Sequence, residues 1–201
     1  DEPLVKPETL TDLEIGFGYR QGSFRGSANL FYMNFEDEII RKGGLDRFGQ
    51  PVTGNADRTT HQGIELIGEL QLTTRLAFSG NVMYSRNILD SYTIYEDGEK
   101  LNLDGNIIAG FPDVLANLRL TYSWRNVYLS TITKYVGRQY TDNFENEENS
   151  VDPYTVIHLD LRYALREFGL QGFVLQARIN NLMDRKYLMY GNSEEFFPAA
   201  T

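Results

Sequence analysis

Val114-Leu115-Ala116-Asn117-Leu118-Arg119-Leu120-Thr121-Tyr122 reads as a strand with two unlike faces. Val114, Ala116, Leu118, Leu120 and Tyr122 share one side, while Leu115, Asn117, Arg119 and Thr121 share the other. Because side chains alternate across a strand, the first side suits hydrocarbon and the second suits water. A helix would repeat its apolar positions every three or four residues, and no window of the chain keeps that period for long.

Working outward, the same alternation marks strands at 9–20, 24–40, 60–72, 75–89, 112–124, 127–141, 154–166 and 171–182. Their apolar faces begin with Leu13, Ile15, Phe17 and Tyr19 and end with Phe173, Leu175, Ala177 and Ile179. Between them lie Glu14, Asn29, Glu65, Asn81, Arg119, Lys134, His158, Asp160, Arg162 and Arg178, a set suited to a wet lumen. Tyr19, Tyr122, Trp124 and Tyr163 close several strands with aromatics, as at a membrane interface. The fold class expected is all-β, an antiparallel transmembrane β-barrel.

Composition permits this. No run of about 18 apolar residues is present, so no helix is expected to span a bilayer. A strand crosses with about 9 to 11 tilted residues, half of them facing the lumen. A mean hydropathy of −0.39 is therefore compatible with a membrane wall. The net charge of −9 disfavours nucleic acid, whose neutralisation needs a basic face. With no cysteine there is neither a disulfide scaffold nor a thiolate metal site.

The connections alternate in length. Short turns fall at Arg20–Ser23, Thr73–Arg75, Arg125–Asn126 and Glu167–Gly169, and long ones at Lys42–Thr59, Asp90–Phe111 and Asp142–Pro153, with a tail after Met183. In outer-membrane barrels the short turns face the periplasm and the long loops face outside. The chain then starts and finishes outside, and eight strands without closure would leave two edges in lipid, where each unpaired backbone group costs several kcal/mol. The expectation is that residues 1–201 are eight strands of one larger β-barrel domain, lacking the front of the barrel and the closing strand.

Specific strings narrow the family. Leu4-Val5-Lys6-Pro7-Glu8 followed by Leu13-Glu14-Ile15-Gly16 resembles the entry to a barrel strand in TonB-dependent outer-membrane receptors. Asn29-Leu30-Phe31-Tyr32, Glu36-Asp37-Glu38-Ile39, and Asn55 through His61-Gln62-Gly63-Ile64-Glu65 follow in the order that family shows. Asn180-Asn181-Leu182-Met183-Asp184-Arg185-Lys186-Tyr187 resembles its penultimate strand, and Phe197-Pro198-Ala199 the opening of its last. The resemblance implies a barrel of about 22 strands around an N-terminal plug. The plug and the segment that meets TonB are expected outside this chain. The implied function is active import across the bacterial outer membrane of a bulky, scarce nutrient, foremost an iron–siderophore complex. Partners are then the chelate, TonB and outer-membrane lipid.

Nothing in the sequence suggests an enzyme or a cofactor. Only His61 and His158 are available as imidazoles; His61 reads as structural or rim-exposed and His158 as wall-lining. Gly16-Phe17-Gly18 lies inside a strand pattern and lacks the helix of a dinucleotide site. Two acidic connections (Glu96, Asp97, Glu99 and Asp104; Asp142, Glu145, Glu147, Glu148 and Asp152) lack EF-hand spacing and read as solvated loops. The candidate ligand contacts are Arg47, Arg58, Tyr140 and Tyr187, which could hold an anionic, aromatic chelate by charge and stacking. Two other barrels compete with this reading: a self-contained eight-stranded outer-membrane wall or adhesin, and a lipocalin-like binding barrel.

Overall fold

The computed structural model describes residues 5–96 and 98–199. In chain order the strands are β1 (Thr9–Gln21), β2 (Phe24–Leu45), β3 (Pro51–Gln71), β4 (Leu76–Ser91), β5 (Thr93–Glu96), β6 (Glu99–Asn102) and β7 (Val114–Trp124). They continue as β8 (Val127–Val136), β9 (Gln139–Tyr140), β10 (Ser150–Val151), β11 (Tyr154–Ala164), β12 (Val174–Ile179), β13 (Leu188–Asn192) and β14 (Glu195–Pro198). Leu4 of the strand-entry string and Asp97 of the acidic connection lie outside the described residues.

All eight expected wall strands form, in one antiparallel sheet of order β1-β2-β3-β4-β7-β8-β11-β12. Register carries the apolar face across the first six strands of that order. Phe17 pairs with Ala28, Ala28 with Leu66, Leu66 with Val82, Val82 with Ala116 and Ala116 with Tyr135. A slip of one residue anywhere would turn a whole strand's apolar set into the lumen, which is why the pattern specifies the register. Phe17 and Leu66 are exposed and Ala28, Val82, Ala116 and Tyr135 half-exposed, with Leu13 at 63 % and Phe17 at 64 % relative accessibility. That is where lipid would lie. The apolar band ends at Tyr32, Ile64 and Tyr84; beyond it the same face turns to Asn34, Gln62 and Arg86.

Short turns join the strands at one end. Gly22 (φ 54°) and Arg125 (φ 53°) supply left-handed residues to two-residue hairpins, and a 3-10 turn at Leu165–Phe168 ends on Gly169 (φ 73°).

At the other end the structure departs from the sequence reading. The connection expected at 42–59 is almost all strand: β2 and β3 run past the band as paired arms, and only the Asp46–Gln50 turn separates them. Asp46 closes it, its Oδ1 accepting the Phe48 and Gln50 N–H groups. Ile40 and Ala56 bury against Leu89, Tyr92, Leu103 and Ile108, which holds the arms as strand. Likewise β8 stops at Val136 rather than 141, and β12 is shorter than expected. Phe197 and Pro198 lie in β14, which pairs with β13. The hairpins β5–β6, β9–β10 and β13–β14 all belong to the long connections.

Both buried apolar clusters sit where the ends of wall strands meet these connections, the second being Val136, Val151, Tyr154 and Val156 with Tyr187 and Phe196 against it. A lipocalin-like barrel would instead bury the apolar strand faces.

Candidate functional site

Three long connections are tied into one platform by Asn143. Its side chain is buried (2 % exposed) in an otherwise acidic loop. Its Nδ2 donates to the Arg41 carbonyl at 2.7 Å, its Oδ1 accepts the Ala109 N–H at 2.9 Å, and its own carbonyl accepts from Asn106 Nδ2 at 2.9 Å. The neighbouring Glu145 takes the Ile107 N–H at 2.7 Å. Thr141 extends the platform, since its carbonyl accepts the Ser193 N–H at 2.8 Å. A polar side chain buried with its bonds made is costly to truncate, because its partners stay desolvated and unpaired. Asn143→Leu in the intact receptor should therefore raise amide exchange at both Arg41–Lys42 and Asn106–Ala109. Unchanged protection at both places would refute the role.

Below the platform, on the lumen side of β2, β3 and β4, lies an open concavity of 390 Å³. Phe31, Met33, Phe35, Met83 and Phe111 line it, with carboxylates from Glu14 and Glu65. His61 forms its upper edge. Its Nε2 lies 3.0 Å from Glu38 Oε2 and its Nδ1 2.8 Å from Asn87 Oδ1. Phe35 and Phe111 meet the ring edge-on at 5.3 and 5.1 Å. Both ring nitrogens face acceptors, so the imidazolium satisfies the site best. His61 stands above the apolar band. Burial opposes the charge, yet the hydrogen bond and charge of Glu38 outweigh it and hold the ring's pKa above the ordinary imidazole value. Thr59 Oγ1 also donates to Glu38. The group braces β2, β3 and β4 together, in keeping with a structural His61. His158 accepts the Asn181 N–H through Nδ1 at 3.3 Å and lines the wall. Lower in the lumen, Asp160 binds Arg178 at 2.9 Å and Gln176 at 3.0 Å.

The four candidate contacts occupy different places. Arg47 is at the exposed tip of the β2–β3 arms, its guanidinium 4.7 Å from the Phe48 ring centroid. Arg58 is exposed on β3 opposite Glu36. Tyr140 is half-buried in β9, where its carbonyl accepts the Gly110 N–H at 2.8 Å. Tyr187 stacks on Tyr154 with ring centroids 4.3 Å apart, as part of the second apolar cluster. The structure thus gathers Tyr140 and Tyr187 in the platform and leaves the two arginines apart on the arms. Asn143 and the Glu38–His61–Asn87 group were missed as a constellation. Glu38 and His61 stood in strings the sequence reading quoted, but nothing local marks Asn143.

Among the described residues, no three His, Asp or Glu side chains converge as metal ligands. What the platform and concavity offer is stacking, hydrogen bonding and charge.

Comparison with known proteins adds the lineage. The family described as TonB dependent receptor-like, beta-barrel matches residues 2–182. The ferrichrome outer membrane transporter/phage receptor of Escherichia coli K12 is 32 % identical over 125 residues, covering 59 % of this chain and 16 % of that protein. The ferrioxamine receptor of Yersinia enterocolitica is 26 % identical over 194 residues, 93 % of this chain and 25 % of that one. Among solved structures, the siderophore receptor PiuA of Acinetobacter baumannii superposes with a TM-score of 0.73 over 97 % of this chain and 27 % of its own, at 19 % identity, a likeness of fold. The chain spans a quarter or less of the length of the curated relatives it matches. By name these relatives are transporters and receptors, not enzymes.

Proposed function

This chain belongs to the TonB-dependent receptor β-barrel family of the bacterial outer membrane, and from that premise we propose that it forms part of the wall and outer mouth of a receptor that imports a ferric siderophore with energy delivered through TonB. Residues 1–201 are then one stretch of a single barrel domain, with the plug, the front of the barrel and the closing strand supplied by sequence outside it. The observation that carries the reading is the pairing of a continuous apolar outer face with a braced platform of long connections at one end only. A wall alone needs no such platform. The names of the two curated relatives support the cargo class. Arg47 at the arm tip and Tyr140 in the platform are the contacts we assign first, with Arg58 and Tyr187 shaping the arms and the platform around them.

Uptake of a radiolabelled ferric siderophore by cells carrying the intact receptor should fall to background when TonB is deleted or the proton gradient collapsed. Uptake that persists unchanged would mean passive passage through an aqueous lumen, as in a porin. Replacing only the tip at 46–50 should weaken binding without unfolding the barrel, because the arms below it stay paired.

A further inference from the structure

We propose that the cargo is a neutral or cationic ferric chelate, and that the outer mouth discriminates against polyanionic ones; this rests on the siderophore reading above. Charge is distributed very unevenly along the fold. Among the described residues, the segments beyond the apolar band, 36–58, 86–113, 137–153 and 180–199, hold 18 acidic and 9 basic residues. The other described residues hold 7 acidic and 10 basic. The negative surplus of the described residues therefore lies at the mouth.

Four of the nine cations there are spread over different elements or already engaged. Arg138 is ion-paired with Glu147, Arg47 lies over its own neighbour Phe48, and Arg58 stands opposite Glu36. Arg41 is tucked beside Gly110 beneath the platform. Holding a trianion needs several guanidinium or ammonium groups aimed at one point. Glu38 and Asp142 are buried, and Asp37 and Glu147 are ion-paired, but other acidic groups are open to solvent on separate connections. Glu99, Glu148 and Glu194 are exposed and have no side-chain partner among the described residues.

A mouth of one sign focuses ligands of the other, with effects on association rate of about 10- to 1000-fold that fade with ionic strength. A ferric tris-hydroxamate is neutral, an analogue with a free amine is cationic, and a ferric tris-catecholate is a trianion. The field repels the last, attracts the second and leaves the first to contact chemistry alone. This departs from the anionic chelate that the arginines suggest when read from sequence.

The test compares binding of those three chelates to the intact receptor at low and high salt. The cationic and neutral chelates should bind at least about tenfold more tightly than the trianion at low salt. Added salt should weaken the cationic chelate and strengthen the trianion, since screening acts over about 8 Å at physiological strength. Combining Glu99→Lys, Glu148→Lys and Glu194→Lys should shift the cation-to-trianion preference several-fold toward the trianion. The neutral chelate should be unaffected, which also reports that the barrel is folded. The Gln versions of the same three changes give a smaller shift in the same direction and serve if the Lys combination fails to assemble. A trianion that binds tightest, or a preference that none of these substitutions moves, overturns the inference and leaves the siderophore reading standing. Failure of all three chelates to bind a folded receptor overturns the siderophore reading itself.

Discussion

Leu118→Arg should cost the intact receptor about 2–4 kcal/mol of stability in lipid, while Arg119→Leu, one residue on, costs far less. Leu118 lies midway along β7 on the outward face, in register with Gly80 on β4 and Thr133 on β8. A guanidinium there meets hydrocarbon, and its stem is too far from either interface to reach water freely. Arg119 points the other way, between Ser79 and Ile132, where the lumen is polar. The measurement is a denaturant titration of the receptor refolded into vesicles, comparing midpoints at equal slope. Equal losses at the two positions would mean the faces have been assigned wrongly, and the membrane orientation of the whole sheet with them.

Gly63→Ala should lower the stability of the barrel by about 1–3 kcal/mol, although it adds a single methyl group. A Cβ at Gly63 would lie 2.3 Å from the Tyr84 carbonyl oxygen and 2.7 Å from the Phe31 ring. The ring can turn, but the carbonyl belongs to the backbone of β4, so β3 and β4 must separate locally. Gly68→Ala, five residues along the same strand, provides the control, since nothing lies within 4 Å of its added carbon. The temperature at which the folded receptor loses its heat-modifiable migration should drop for Gly63→Ala and stay put for Gly68→Ala. Similar drops at both sites would show that loss of glycine, and not the contact at Tyr84, sets the effect.

These two glycines illustrate how far the chain can be read unaided. Gly63 sits in His61-Gln62-Gly63-Ile64-Glu65, a string that marks the family but does not say which neighbour crowds it. That neighbour is Tyr84, on a strand whose pairing partner must be known before the contact exists. The stretch 42–59 misled in the opposite sense. It reads as a long connection between wall strands, whereas burial of Ile40 and Ala56 against the 89–108 region keeps both arms extended. Local preference lost to tertiary packing, as it does when enough apolar surface is at stake.

Alternation with period two determined the fold class, the eight wall strands and the face each presents, because that signal is local and a slip of one residue would put every apolar side chain in the wrong medium. It also determined which turns are tight. The tertiary structure alone decided the mouth. Asn143 meets the Arg41 carbonyl across 102 residues of sequence. His61 draws one partner from β2 and another from β4. Tyr187, outwardly a free aromatic, is committed to stacking on Tyr154. Such contacts leave no periodic trace in the chain, since each depends on which distant backbone groups the wall brings to the same height, and that is known only once the strands are paired.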